Sequence, residues 1–363
     1  MQDSVQDSEL TQGSRMETKK PKPNRNPRPS RGASRTVVIA SVAIAVPVVT
    51  AASYFGWKVT QVAKQGDRAA ERGAKYDPAV AVVEDPLMQW RELGEINTGL
   101  QSVRGVAIRP DGAYVVAGDQ KVRVLTKEGG TTLDIPLASR PQAVAVDADG
   151  TFFVGLKDHV EVFSADGKAA GVWATMGADA VITCVTASAD HVYVANATVR
   201  VVAEYDKTGK LLRELAKEDE SKHARGLVVP SAHLDVAPAS DGTIWIANPG
   251  RHSLEAYDAT GTMIRMWGEE GTSVQAFPGC CNPTDFALFP DGSFVTAEKG
   301  TPRVKVYTKD GKLDSVVVGP ESFAMDKMEG ATALALDVAV DHKGRVIVLD
   351  PVKRVVRIYQ RKN

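Results

Sequence analysis

Cysteine is scarce in this chain, and several sequence signatures of enzymes are missing from it. Only 3 of the 363 residues are cysteine. An odd number cannot form a complete disulfide framework within one chain. The sequence has no H-E-x-x-H or C-x-x-C motif, no glycine-rich phosphate loop, no G-x-S-x-G elbow and no dinucleotide fingerprint. These absences argue against compact zinc sites, nucleotide-dependent chemistry and ordinary serine hydrolysis.

Aromatic residues are also few, at 6%, and the formal net charge is only -1. The chain has no arginine-rich stripe interleaved with aromatic residues, which is the usual footprint of a nucleic-acid surface. We therefore expect no nucleic-acid partner. Positive charge is concentrated in residues 1–35, which contain several prolines and no aromatic residue, so this segment is predicted to be a disordered basic tail.

The most hydrophobic stretch, residues 36–57, contains no charged residue. Its length suits a helix that crosses roughly 30 Å of hydrocarbon, and Tyr54 and Trp57 lie where an interfacial aromatic belt would be. The alternative is a cleaved signal peptide, although the preceding region is long and the sequence Ala51-Ala52-Ser53 is a weak cleavage signal. We predict a retained, single-pass transmembrane helix.

The flank before this helix is more positive than the flank after it. By the positive-inside rule, this bias favours a cytoplasmic amino terminus and places the rest of the chain outside the cytoplasm, at a plasma or inner cell membrane. Residues 58–89 are predicted to form a helical stalk followed by a proline-containing linker.

From residue 90 onwards the chain consists of repeats rich in β-branched and aromatic residues. One copy, residues 282–312, is predicted to contain three short strands separated by glycine turns, because glycine adopts the positive φ of a hairpin turn without steric cost. The first turn of each copy lies at Gly112, Gly150, Asp190, Gly242, Gly292 and Gly344, with Asp190 expected to adopt the left-handed geometry. Six small sheets that must stack on one another predict an all-β fold, a six-bladed β-propeller over residues 90–363.

The sixth copy ends without an outer strand. Residues 90–96, WRELGEI, precede the first copy and are predicted to supply that strand. Pairing the start of the domain with its end would close the ring and protect the sheet edges.

Two units carry a family resemblance, PQAVAVDADGTFFVGLKDHVEVFSADGK and ALDVAVDHKGRVIVLDPVKRVVRIYQ. They resemble the NHL-repeat pattern of an inner strand ending near Asp, a glycine turn, a strand ending in a small and then a polar residue, and an Arg-Val-x-Val strand. The resemblance covers about residues 100–360 and implies a six-bladed propeller of the NHL or TolB-like type. Such propellers serve as scaffolds, as binders of peptides or nucleic acids, and occasionally as enzymes, so the resemblance indicates fold more than activity.

The later repeats are longer than the earlier ones. Successive first turns are 38, 40, 52, 50 and 52 residues apart, and the extra residues follow the second turn of each long copy. They predict three long connections, residues 217–232, 268–281 and 319–332, on one face of the ring beside blades 4 to 6. Long loops on a rigid scaffold often carry function, with drift in loop length as the alternative.

Three carboxylates occupy equivalent positions on the innermost strands of adjacent blades. This position holds Gly105, Ala143, Cys184, Asp235, Asp285 and Asp337 in the six copies. Converging carboxylates repel one another unless a cation, a basic ligand or basic side chains lie between them, so Asp235, Asp285 and Asp337 are predicted to bind a divalent metal such as calcium, or a cationic ligand. The alternative is that each carboxylate accepts hydrogen bonds from nearby backbone N–H groups.

Cys280 and Cys281 lie just before the innermost strand of the fifth copy, in the segment FPGCCNPTDF. Adjacent cysteines can form a strained vicinal disulfide, bind a soft metal, or be unrelated small residues. In an extracytoplasmic domain we expect the oxidised pair. The two cysteines are predicted to contribute to a ligand site.

His233, His252 and Glu298 are predicted ligand-binding residues on the same face. No catalytic residue is assigned, although His233 and Asp235 at the channel mouth are the candidates if chemistry takes place.

Together these features predict a membrane-anchored, extracytoplasmic propeller. Its expected role is that of a binding or scaffold module for a protein partner in a membrane complex, or for a ligand. The alternatives are a metal-dependent propeller enzyme of the lactonase or lyase kind, or a metal- or redox-binding protein. Either alternative would use the acidic, cysteine-bearing face of blades 4 to 6.

Overall fold

The computed structural model describes residues 83–323 and 335–363. The predicted tail at 1–35, the predicted membrane helix at 36–57 and residues 58–82 of the predicted stalk lie outside the described residues. So does most of the third long connection, from residue 324. Within the described ranges, no helix combines the length and the apolar character needed to cross a membrane.

The described residues form six four-stranded antiparallel sheets, so the prediction of an all-β, six-bladed propeller is confirmed. Five of these sheets are meanders whose innermost strand comes first in the chain, whereas the sixth takes its outer strand from the start of the domain. Blade 1 contains β2 (Val103–Ile108), β3 (Tyr114–Gly118), β4 (Lys121–Leu125) and β5 (Thr131–Pro136). Blade 2 contains β6 (Ala143–Val146), β7 (Phe152–Gly155), β8 (Val160–Phe163) and β9 (Ala169–Val172). Blade 3 contains β10 (Ile182–Ala187), β11 (His191–Asn196), β12 (Val201–Asp206) and β13 (Leu211–Leu215).

The second half of the ring repeats this order. Blade 4 contains β14 (Val236–Pro238), β15 (Ile244–Asn248), β16 (Ser253–Tyr257) and β17 (Met263–Trp267). Blade 5 contains β18 (Asp285–Leu288), β19 (Phe294–Ala297), β20 (Val304–Tyr307) and β21 (Leu313–Val318). Blade 6 contains β22 (Asp337–Val340), β23 (Val346–Asp350), β24 (Val355–Arg361) and, as its outer strand, β1 (Trp90–Asn97). Short 3-10 helices occupy Asp85–Leu87, Glu220–Lys222, Pro249–Arg251 and Pro320–Ser322.

The first strand of the described residues closes the ring. Strand β1 pairs antiparallel with β24, with Ile96 opposite Val356, and a register shift occurs between Glu92 and Gly94. Trp90 is buried against blade 5 and donates a hydrogen bond from Nε1 to Ser315 Oγ over 3.0 Å. The closing strand is therefore held both by its sheet and by the neighbouring blade.

Hydrophobic burial lies between neighbouring blades. Between blades 4 and 5, for example, Trp245 packs edge-on against Phe294, and Trp267 packs against Tyr307. Similar clusters join blades 5 and 6, 6 and 1, 1 and 2, and 2 and 3. Each sheet thus buries its faces against its neighbours, as expected for a ring of repeats that shares burial between adjacent units.

Glycine occupies the first hairpin turn of five blades with φ between +71° and +85°, at Gly112, Gly150, Gly242, Gly292 and Gly344. The positive φ expected at Asp190 in blade 3 is not found. That turn is one residue shorter, and the Ser188 hydroxyl accepts a hydrogen bond from the His191 N–H over 3.1 Å. In this turn, the hydrogen bond to the Ser188 side chain takes the place of a residue with positive φ.

Candidate functional site

The innermost strands surround the axis of the ring, and the residues just before them lie on the face that carries the connections between blades. An axial cavity of about 210 Å³ opens there. Its wall includes Arg104, His233, Asp235, Asp285 and Asp337. The structure therefore brings four of the predicted site residues, His233 and the three aspartates, into one cavity.

Each of the three aspartates accepts a backbone hydrogen bond from the next blade. The donor is always the N–H of the residue that follows the equivalent position on that blade. The bonds join Asp235 Oδ2 to Phe286 N (2.7 Å), Asp285 Oδ1 to Val338 N (2.9 Å), and the Asp337 carboxyl to Val106 N. Blades 4, 5, 6 and 1 are thereby linked in series at the axis, in the backbone-acceptor arrangement that the sequence left open.

The environment of these carboxyl groups disfavours their charged form. Burial raises the pKa of Asp235 to about 6. Burial also raises the pKa of Asp285 well above its usual range, and the nearby Asp337 and Asp235 carboxylates raise it further. The pKa of Asp337 is raised in the same way by burial and by Asp235. Because a proton on a carboxyl group removes its charge, the cavity carries less negative charge at neutral pH than three aspartates imply.

A fourth group at this level belongs to blade 3. Cys184 places its Sγ 3.7 Å from the Val236 carbonyl oxygen of blade 4. Burial, and then the neighbouring Asp235, raises the pKa of this thiol well above its usual value. The thiol is therefore neutral and continues the series of links between blades.

The cavity also has basic groups, which the sequence reasoning missed. Arg104 is exposed at its wall, and Lys299 donates a hydrogen bond from Nζ to Oγ of Ser231, another lining residue, over 2.7 Å. Burial, together with the nearby charges of Lys299 and Arg104, lowers the pKa of His233 to about 3, so the imidazole is neutral. The sequence offered one signal for this role: Arg104 directly precedes Gly105, which occupies the axial position in the first repeat.

The predicted metal site stays a prediction. Within residues 83–323 and 335–363, no group of three or more His, Cys, Asp or Glu side chains is arranged to hold a metal ion.

Cys280 and Cys281 are free thiols whose Sγ atoms lie 2.9 Å apart. This distance exceeds the roughly 2.05 Å of a disulfide bond. The oxidised pair expected in an extracytoplasmic domain stays a prediction. Burial, and then Cys281, raises the pKa of the Cys280 thiol. Neither cysteine lines the axial cavity.

His252 and Glu298 are fully buried inside blades 4 and 5, and neither reaches the axial cavity. Burial lowers the pKa of His252 to about 4, so its ring is neutral. Glu298 contacts two buried cations, Arg303 at 2.7 Å and Lys305. Glu298 directly follows the second strand, β19, and its side chain is buried inside the blade.

Two of the long connections are fastened to the blades by buried side chains. Lys305 donates from Nζ to the carbonyl oxygens of Val274 and Ala276, at 3.0 and 2.9 Å, in the connection 268–281. Arg251 donates to the Gly226 carbonyl oxygen at 2.6 Å, in the connection 217–232. Specific bonds of this kind argue against simple drift in loop length.

The raised pKa values predict a pH-dependent effect of the substitution Asp285→Asn. Asparagine keeps an oxygen to accept the Val338 N–H, but it removes a carboxyl group whose folded-state pKa is raised. Such a group contributes stability at low pH that is lost as pH rises through its folded pKa. As the pH rises above the ordinary pKa of an aspartate, the wild type should lose stability that the variant keeps. The unfolding free energy of the variant should therefore increase by about 1–3 kcal/mol relative to that of the wild type.

Urea unfolding at several pH values measures this difference. Asp258→Asn is the matched control, because Asp258 is a half-buried turn residue whose pKa is lowered by hydrogen bonds from Thr260 and Thr262. The control should change in the opposite direction with pH. A difference between Asp285→Asn and wild type that does not vary with pH would contradict the assignment.

Comparisons with known proteins show the fold. No family model and no curated protein sequence matches the chain. A structure of streptogramin B lyase is similar with a TM-score of 0.53 and 11% identity, covering 77% of this chain and 100% of that one. The WD40 propeller domain of Doa1 is similar with a TM-score of 0.52 and 14% identity, covering 76% and 97%. Virginiamycin B lyase from Staphylococcus aureus is similar with a TM-score of 0.50 and 11% identity, covering 74% and 88%. At these identities the likeness extends to the β-propeller fold alone.

Proposed function

We propose that this chain is a membrane-anchored binding module whose axial cavity receives a polar, positively charged group of a protein partner. The observation that carries the proposal is the asymmetry of the axial ring. Blades 4 to 6 contribute Asp235, Asp285 and Asp337, whereas blades 1 and 2 contribute only Gly105 and Ala143 at the same level.

The chemistry of the cavity suits a cationic side chain of the partner that has acidic residues close to it. A bound ammonium or guanidinium group would favour the ionised form of the three carboxyl groups and would lower their pKa values. Arg104 and Lys299 at the rim would meet acidic groups around the inserted side chain. Binding should then release protons, because the free protein holds the pKa values of these carboxyl groups above their usual range.

The membrane part of the proposal rests on the uncharged segment 36–57 and on the greater positive charge before it. An anchor there would display the propeller outside the cytoplasm, next to other membrane proteins. Of the uses known for such rings, this location favours a scaffold in a membrane complex.

Photo-crosslinking in native membranes tests the proposal. A photoreactive residue at position 104, in the wall of the cavity, should crosslink a partner protein, whereas one at Ile264, exposed on the outer strand of blade 4, should not. Asp337→Asn should lower the yield from position 104 by roughly tenfold, because a charge-assisted hydrogen bond contributes about 1.5–3 kcal/mol. Equal yields from both positions, or a yield that Asp337→Asn leaves unchanged, would refute axial binding.

A metal-dependent lyase or lactonase is the second candidate function. The observation in its favour is the pKa of Asp235, which at about 6 lies close to the range in which general acids and bases work. Two of the structures with a similar fold are also named as lyases. Elemental analysis of the purified full-length protein separates the candidates: stoichiometric metal that Asp285→Asn removes would favour the enzyme, and metal-free protein that crosslinks a partner would favour the scaffold.

A further inference from the structure

A pair of facing polar side chains recurs inside the later blades. The residue that follows or ends the second strand meets a charged side chain from the third strand. The pairs are Asn248 with Glu255 (2.8 Å) in blade 4, Glu298 with Lys305 in blade 5, and Asp350 with Arg357 (3.8 Å) in blade 6. Blades 1 and 2 also have a charged residue at the third-strand position, namely Arg123 and Glu161.

Blade 3 departs from this pattern. Strand pairing places Ala203 opposite Val194 in β11, as it places Glu255 opposite Ile246 in β15. Asn196 ends β11 in the same way that Asn248 ends β15. Blade 3 therefore keeps the asparagine of the pair but has only a methyl group where its partner would be.

The amide of Asn196 is left with an unused donor. Its Oδ1 accepts hydrogen bonds from the N–H groups of Val181 and Thr198, at 3.3 and 3.2 Å, and these bonds determine which way the amide is oriented. Asn196 is fully buried, and Nδ2 has no hydrogen-bond partner among the described residues. In blade 4 the corresponding Nδ2 donates to a carboxylate oxygen, that of Glu255. A buried N–H without an acceptor is costly, so its retention needs an explanation.

A side cleft of about 880 Å³ lies at this position, and both Asn196 and Ala203 line it. Arg251, also in its wall, is only 8% exposed. Its two terminal nitrogens donate to the carbonyl oxygens of Gly226 and Arg225, while its buried Nε finds no acceptor in the part of the chain that the structure describes. Two residues in the wall of one cleft thus each carry a buried donor that has no acceptor among the described residues.

The remaining wall combines positive charge with apolar surface. Arg200, Lys217 and Arg225 are the other basic residues that line the cleft, against Glu214 and Glu218. Val199 and Leu211, at 56% and 50%, are among the most exposed large hydrophobic residues of the described chain, and both are in this wall. The volume is that of a site for a small organic molecule.

We infer that the side cleft of blade 3 binds a small organic carboxylate with an apolar body, whose carboxylate takes the place that Glu255 occupies in blade 4. The Asn196 Nδ2 and Arg251 Nε donors would receive the carboxylate oxygens, and Val199 and Leu211 would cover the apolar part. No residue lines both this cleft and the axial cavity. The inference is therefore independent of partner binding at the axis.

Isothermal titration calorimetry on the full-length protein in detergent tests this inference with three probes of one shape. These are phenylbutyrate, phenylbutanol and phenylbutylamine, which share the apolar body and differ in the polar end. Phenylbutyrate should bind roughly tenfold or more tightly than the other two, because only its carboxylate can make charge-assisted bonds to both donors. Equal binding of all three probes, or no binding of phenylbutyrate at millimolar concentration, would overturn the inference.

Two variants locate the site. Ala203→Glu supplies an internal carboxylate that copies Glu255, so it should abolish phenylbutyrate binding and raise the thermal midpoint of the ligand-free protein. Asn196→Asp keeps Oδ1 for Val181 and Thr198 but replaces the donor with an oxygen, so it should weaken binding by roughly 10- to 100-fold. Leu212→Glu is the control, since Leu212 is exposed on the same blade and does not line the cleft.

Phenylbutyrate affinity should be unchanged in the Leu212→Glu control. If Ala203→Glu does not fold, Asn196→Asp decides the matter, because its backbone contacts are preserved. Wild-type affinity in a folded Ala203→Glu or Asn196→Asp variant would show that the ligand binds elsewhere and would overturn the assignment. Crosslinking from position 104 should be unaffected by either variant, which separates this test from that of axial binding.

Discussion

Replacing Glu298 with glutamine is expected to lower the free energy of unfolding by about 3–5 kcal/mol, the range found when one partner of a buried ion pair is removed. Glu298, Arg303 and Lys305 are all fully buried in blade 5. Both cations contact the single carboxylate, and Lys305 also lies 4.7 Å from the centre of the Phe277 ring. Glutamine preserves the shape of the side chain and removes only its charge.

The pKa of Lys305 shows how strongly the site disfavours an uncompensated cation. Burial lowers that pKa to about 8 even though the Glu298 carboxylate acts to raise it. Without the carboxylate, folding must either bury the charge or deprotonate the lysine, and each course costs stability. Because Lys305 also holds the connection 268–281, we expect the amides of that connection to lose protection from hydrogen exchange in the variant.

Urea unfolding measures the loss, and Glu214→Gln is the matched control. Glu214 pairs with Lys217 over 3.1 Å on the surface, where their side chains are 38% and 70% exposed. That substitution should change the unfolding free energy by no more than about 0.5 kcal/mol. If Glu298→Gln is as stable as this control, the buried cluster does not contribute to stability in the way described here.

Substitution of Trp90 with alanine is expected to cost about 3–5 kcal/mol of unfolding free energy, as found for large aromatic residues in cores. Trp90 is 6% exposed, packs against Phe289 at a ring-centre distance of 6.1 Å and bonds to the Ser315 hydroxyl. Since it lies at the start of β1, its loss should also loosen the strand that closes the ring.

Hydrogen exchange provides the specific readout for this second variant. The amides of β24 that pair with β1 should exchange faster in Trp90→Ala, while those of blade 3 should be unaffected. Leu93→Ala is the control on the same strand, because Leu93 is 46% exposed and its truncation should cost less than about 1 kcal/mol. If protection were lost equally around the whole ring, the release of β1 from β24 would not be a separate opening event.

The sequence alone was sufficient for the architecture. Period-two alternation and turns at fixed offsets are local signals, and Gly112 or Gly292 predicts a hairpin wherever its blade lies in space. The missing outer strand of the last repeat and the extra strand before the first were both visible in the printed chain. Six sheets that cannot bury their own faces then leave a closed ring as the natural solution, and the structure confirms it.

The roles of individual side chains were decided only by the tertiary structure. The repeat alignment placed Asp235, Asp285 and Asp337 at one level, but whether they meet a cation or a backbone N–H depends on how each blade is rotated against the next. The alignment also treated Glu298 and His252 as residues of the loop-bearing face, whereas packing buried them inside the blades.

The alanine at position 203 illustrates the same limit. In the sequence, Ala203 is an ordinary strand residue, and no pattern within its own repeat sets it apart. Its significance appears only from the strand pairing. Each of the remaining blades has a charged side chain at the equivalent position, whereas in blade 3 the buried Asn196 has no such partner. Local chemistry determined the number and order of the strands in this protein. Contacts between distant residues, which depend on three-dimensional packing, decided which polar groups are satisfied within the chain and which still need a partner.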